Sequence, residues 1–104
     1  CGIVGIAGLT GIDSPNDVGA AMLQKMAHRG PDARQHEIVN DVLLGHARLS
    51  IIDLGERSNQ PFTSEDGRYT IIFNGEIYNY LDIKKVLDYN FKTSSDTEVL
   101  LAAT

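Results

Sequence analysis

The chain has 104 residues, 42% of them hydrophobic and 22% charged, with a formal net charge of −5 and a single cysteine. That is enough for one domain with an apolar core, and too little for two. The acidic balance and the lack of any Lys/Arg block argue against nucleic acid or an anionic membrane as a partner, and one cysteine excludes an internal disulfide.

Gly2 to Gly8 alternates apolar residues with glycine and reads as a buried, central strand. Ser14-Pro15-Asn16-Asp17 reads as a helix start, with Ser14 as cap and Pro15 at the first helical position. Val18, Met22 and Met26 recur every four residues beside Leu23 and give an apolar face, with both methionines expected in the core. The helix stops near His28-Arg29-Gly30-Pro31-Asp32. His28 and Arg29 read either as loop anchors or as neighbours of a site.

Two strands follow, Gln35 to Val39 and Val42 to Leu49, joined by a tight turn at Asn40-Asp41. His36 looks like a surface strand residue, whereas His46 shares a strand face with Arg48 by alternation. Asp53 to Gly67 is polar and reads as a long surface loop. Arg68 to Phe73 reads as a strand that Asn74-Gly75 ends sharply. Tyr80 to Tyr89 reads as a helix with Ile83, Val86 and Leu87 inward. Ser95-Asp96-Thr97-Glu98 reads as a capping box opening a last helix through Ala103. The order strand, helix, several strands, two helices indicates an incomplete α/β sandwich. Exposed sheet edges in such a fold favour a homodimer or a swap.

No stretch approaches the length of a membrane span, and no basic residues precede the opening apolar run as in a signal peptide. A lipoprotein also matures to an N-terminal cysteine, but a polar tether usually follows, and here a strand does. The expected location is the cytoplasm. The three histidines show no metal-ligand spacing.

Cys1 carries the chemical interest. In model peptides an α-amine titrates at about 7.7–8.0 and a thiol at about 8.5, so proton transfer between them costs roughly 1 kcal/mol. One residue therefore supplies both nucleophile and base. The plainer reading is a small buried hydrophobe. Asn74-Gly75 is either a hairpin turn or a pair of donors for a developing oxyanion. Arg48 lies in a largely apolar strand, so it pairs either with an internal acid or with a carboxylate ligand. Asp96 is either a helix-dipole residue or a counter-charge for an ammonium group.

Taken in order, CGIVGIAG, HRGPD, GHARLSIIDL, NQPF, FNGEIYNY and SSDTEVLL resemble the N-terminal glutaminase domain of the glutamine-hydrolysing asparagine synthetase family. These are class II glutamine amidotransferases of the N-terminal nucleophile hydrolases. The resemblance runs from Cys1 to about Leu101. It implies an α/β (α+β) fold of the four-layer αββα type, and hydrolysis of the glutamine side-chain amide to glutamate and ammonia through a Cys1 thioester. By the same resemblance Arg48 holds the glutamine α-carboxylate and Asp96 its α-ammonium. The backbone of Leu49, Ser50, Ile51 and Ile52 lines the amino-acid end of the pocket. Asn74 and Gly75 form the oxyanion hole, and Glu76 contacts the substrate.

The family's glutaminase domains are nearer twice this length, so 1–104 is expected to be a glutaminase domain truncated on its C-terminal side. No cofactor is implied for it. ATP and Mg2+ are expected only in the synthetase domain, which receives the ammonia and is not in this sequence. Two alternatives stay open: an inactive glutamine-binding or scaffold module, and a different N-terminal nucleophile amide hydrolase.

Overall fold

The computed structural model describes residues 1–49 and 59–104. It is a mixed α+β arrangement built on one strand pair. β2 (Ala33–Val39) and β3 (Val42–Arg48) form an antiparallel hairpin in which Val39 faces Val42 and Ala33 faces Arg48. Asn40 takes the left-handed conformation at φ 56°, which asparagine tolerates better than most residues. The Asp41 carboxylate accepts from the Leu9 N–H at 2.8 Å, clasping the turn to the end of the first strand.

That first strand, β1 (Gly2–Ala7), pairs antiparallel with β3, from Gly2 opposite Ala47 to Ala7 opposite Val42. The sheet order is β1-β3-β2. Among the described residues β1 is therefore an edge strand, which corrects its reading as a central one. Its alternate residues are exposed because only one of its faces is covered along most of its length.

The helix α1 (Pro15–Lys25) covers that face. Val4, Leu23, Leu43 and Ala47 are buried there, with Ile6, Leu9, Met26 and Ile38 packed against them. A side chain at Gly45 would abut Leu23, and one at Gly19 would meet Leu43, so helix and sheet approach closely. His36 bonds Asn16 of α1 at 3.0 Å in an exposed contact, so this surface strand residue also ties β2 to the helix. Two expectations about α1 fail. Ser14 is left-handed (φ 52°, ψ 63°) and caps with its backbone carbonyl, not its side chain. Met22 is 38% exposed, because it lies off the stripe centred on Leu23.

Alternation sends Leu43, Gly45 and Ala47 of β3 toward α1, and His46 and Arg48 to the opposite face. Residues 59–60 and 73 cover that opposite face around His46 and Arg48. They belong to a second group of elements. β4 (Phe62–Thr63), inside the segment read as loop, pairs with β5 (Thr70–Ile71), inside the segment read as a strand, to form a short hairpin. The expected strand to Phe73 is thus only two residues long, since Phe73 spends its N–H and carbonyl on side chains. The Gln60–Pro61 peptide is cis.

Two helices complete this group: α2 (Tyr80–Val86) and α3 (Asp96–Ala102). α2 buries none of its residues and stops before Leu87, which is extended. Val86, expected inward, is 81% exposed. α3 opens as expected, with the Ser95 hydroxyl accepting from the Glu98 N–H. The reciprocal half of the box is absent. The Glu98 carboxylate, 0% exposed, instead accepts from the N–H groups of Lys92 and Thr93 and from the Thr93 hydroxyl.

Candidate active site

β1 and β3 bring Cys1 to the end of the sheet, where the hairpin strand leaves the ladder at Arg48. The thiol lies against the backbone of Leu49, accepting from its N–H at 3.3 Å and reaching its carbonyl at 3.6 Å. The α-ammonium donates to the Arg29 carbonyl at 2.7 Å. Cys1 is partly exposed, and the reading of it as a buried small hydrophobe is set aside. Of the two roles open to His28 and Arg29, Arg29 takes that of site neighbour, through its main chain. The Gly30-Pro31 break carries it there, for the buried Gly30 packs directly on the Ala47–Arg48 peptide.

Arg48 is buried on the face away from α1 and donates through Nη1 to the Asn59 side-chain oxygen at 2.5 Å. A guanidinium has five N–H donors in a fixed fork, and this bond helps to orient it. Next in sequence, Gln60 is buried and bridges two elements. Its Oε1 accepts from the Phe73 N–H at 2.5 Å, and its Nε2 donates to the Thr97 hydroxyl at 3.1 Å.

Asn74, Gly75 and Glu76 form an exposed turn that leads toward α2 and not into a hairpin. The Phe73 ring lies over Gly75, where an added Cβ would meet its Cζ at 2.8 Å. Asp96 is 7% exposed, and its Oδ2 accepts from the Ile77 N–H at 2.9 Å, beyond the far end of the turn. Its side chain therefore serves the turn, not simply the dipole of its own helix. Ser50, Ile51 and Ile52 lie outside the described residues.

His46 is 2% exposed, and its Nε2 bonds the Phe73 carbonyl at 3.1 Å. A carbonyl only accepts, so Nε2 carries the proton. Burial holds the imidazole below the ordinary histidine range. The N-terminal ammonium and Arg48 push the same way, and the bond to Phe73 opposes them. No role was assigned to His46, Asn59 or Gln60 from sequence. The available signal was polar side chains beside an apolar strand and before a proline, where burial demands a partner.

The geometry thus gathers Cys1, Arg48 and Leu49 at one strand end. It ties the 74–76 turn to the same sheet face through His46, and to Asp96 through Ile77. Among the described residues no group of three or more His, Cys, Asp or Glu side chains is arranged to hold a metal ion, and no helix is long and apolar enough to cross a membrane. A separate open depression bordered by Glu65, Tyr69, Tyr89 and Leu101 includes none of these residues.

The glutamine amidotransferase domain family matches residues 1–104. Asparagine synthetase [glutamine-hydrolyzing] 1 of Bacillus subtilis is 44% identical, over 98% of this chain and 17% of its own length. Asparagine synthetase [glutamine-hydrolyzing] 2 of the same organism is 40% identical, over 97% of this chain and 14% of its own length. The amidase chry2 of Gibberella zeae is 45% identical over 77% of this chain and 12% of its own. The chain thus spans about a sixth of the length of the first two relatives. With a partly exposed N-terminal thiol, a buried arginine at the same strand end and this match along its whole length, the chain belongs to the glutamine amidotransferase domain family, of the type found in glutamine-hydrolysing asparagine synthetases.

Proposed function

We propose that this chain hydrolyses the side-chain amide of glutamine, with Cys1 as nucleophile and its own α-amine as base. The observation that carries the reading is the placement of Cys1. Its thiol lies along the Leu49 backbone beside Arg48, and its amine is held by the Arg29 carbonyl. A free amino acid needs a cation for its carboxylate, an anion for its ammonium, and an electrophile-activating site for its amide. Arg48 supplies the first and Asp96 the second. By the family resemblance Leu49, Ser50, Ile51 and Ile52 are assigned to the amino-acid end, and Glu76 to a contact with the substrate.

The thiolate sulfur adds to the amide carbon, and the carbonyl electron pair moves onto oxygen. The Asn74 carboxamide and the Gly75 N–H donate to that oxyanion. Collapse expels the amide nitrogen, which takes the proton held by the α-amine and leaves as ammonia. Water then adds to the γ-glutamyl thioester, releasing glutamate and restoring the thiol. In the larger protein the ammonia passes to an ATP- and Mg2+-dependent synthetase domain, in the cytoplasm. The finer fold in this reading is the αββα sandwich. The covering of both faces of β3, by α1 on one side and by residues 59–60 and 73 on the other, supports it.

The test is ammonia release from glutamine by the intact protein. Cys1→Ala is expected to abolish it, and Asn74→Ala to lower kcat by about 10²–10³-fold. A Cys1→Ala protein that still released ammonia at the wild-type rate would refute the reading. The match to an amidase keeps a second amide substrate in view, and glutamine competing poorly against a bulky acyl amide would favour it.

A further inference from the structure

The turn that holds Asn74 and Gly75 has no regular structure of its own. Residues 72–76 lie in neither strand nor helix, β5 behind them is two residues long, and Asn74 to Glu76 are exposed. Such a segment wanders unless side chains tether it, and oxyanion donors work only when they are preorganised.

Both polar main-chain groups of the residue just before the turn are taken by buried side chains. The Phe73 N–H goes to Gln60 Oε1, and the Phe73 carbonyl to His46 Nε2 at 3.1 Å. His46 stands opposite Ile3 in the β1–β3 ladder, two residues from Cys1. Gln60 reaches from Phe73 to Thr97, the residue after Asp96. Past the turn, Asp96 takes the Ile77 N–H. The His46 Nδ1 is buried without a partner among the described residues. Leaving such an acceptor unsatisfied is costly, and a core needing only volume at this position would use an apolar side chain.

We propose that His46 and Gln60 are positioning residues. By gripping the two polar groups of Phe73 they set where the Asn74 carboxamide and the Gly75 N–H stand relative to the Cys1 thiol. This rests on the glutaminase reading above. Neither side chain touches the substrate, so their loss acts on kcat through misplaced donors and leaves the binding of the amino-acid end to Arg48 and Asp96.

The experiment measures glutamine-dependent ammonia release by the intact protein carrying His46→Phe, His46→Gln or Gln60→Met, with the rate of Cys1 alkylation by iodoacetamide in parallel. His46→Phe keeps the bulk and removes the donor. Its kcat is expected to fall about 10–100-fold, the scale of a displacement near 1 Å, with KM within about threefold of wild type and Cys1 alkylated at the wild-type rate. Glutamine's Nε2 takes the place of the imidazole Nε2, so His46→Gln is expected to recover kcat to within about fivefold. Gln60→Met is expected to show the same loss in kcat and carries the test if His46→Phe does not fold. A wild-type kcat in both, a loss confined to KM, or a folded His46→Gln no better than His46→Phe would overturn the proposal. Cys1→Ala and Asn74→Ala run alongside. If these two release ammonia normally, the glutaminase reading fails and the positioning role with it. If they are silent while His46→Phe and Gln60→Met remain fully active, only the positioning role fails.

Discussion

Replacing Gly30 by alanine tests how the loop after α1 delivers the Arg29 carbonyl to the Cys1 amine. Gly30 is buried, and its φ is not positive, so space and not conformation sets the outcome. An added Cβ would lie 2.5 Å from the Arg48 nitrogen and closer still to the carbonyl carbon and oxygen of Ala47. These are backbone atoms of the central strand, paired with Gly2 on one side and with Ala33 and Arg34 on the other. Restoring even a 3.0 Å contact moves that peptide by about half an ångström or more, and no flexible side-chain end is available to yield. Overpacking of this kind costs about 1–3 kcal/mol, sometimes more. With both ladders disturbed, Gly30→Ala belongs at about 3 kcal/mol, a drop in Tm of roughly 12–24 °C for a domain of this size. Gly5→Ala is the control. It has nothing within 4 Å of the added carbon and lies in a strand, so a gain of about 0.5–1 kcal/mol is expected. Thermal unfolding followed by circular dichroism measures both. A Gly30→Ala chain melting within about 2 °C of wild type would refute the steric account.

Glu98→Ala strands the buried Thr93 N–H, now bonded to its carboxylate, at about 1–3 kcal/mol, and frees the part-buried Lys92 N–H at a smaller cost. Urea unfolding should show a lower midpoint, with Glu98→Gln losing less because one acceptor oxygen remains. The depressed His46 predicts a pH dependence. Its folded pKa lies below the ordinary 6.5, so the unfolded chain binds more protons between the two values. Its contribution to stability is therefore complete above about pH 6.5 and is lost as pH falls from there toward the folded pKa. Unfolding midpoints between pH 7.5 and pH 5 should fall more steeply for wild type than for His46→Gln, and parallel curves would contradict the assignment.

Much of this was legible because strand and turn signals are local. The β2–β3 hairpin, the turn at Asn40, α1 from Pro15 and the Ser95 cap depend on residues close in sequence, and they appear where periodicity and turn chemistry put them. The errors share a different cause. Whether β1 is central or at an edge, whether Val86 points inward, and whether Phe73 continues a strand all depend on which distant element arrives to cover them. The site divides in the same way. Cys1, Arg48, Asn74-Gly75 and Asp96 are proposed from residue chemistry in a family's motif order. Asn59, Gln60 and His46 are not, because a tether is recognised only once the group at its other end is known. Gln60 and Phe73 are thirteen residues apart, and His46 and Phe73 twenty-seven.

The alternation along β3 gives one strand two separate duties. Leu43 and Ala47 hold the helix, while His46 and Arg48 hold Phe73 and Asn59 and, in the glutaminase reading proposed above, serve the chemistry. A slip of one residue in pairing would carry the guanidinium and the imidazole into the apolar layer beneath α1, and would turn leucine toward Asn59 and Phe73. The wrong register is thus penalised on both faces at once. In that reading folding fidelity and chemical competence are checked by the same event, and a chain that has paired β3 correctly has also aimed His46 and Arg48.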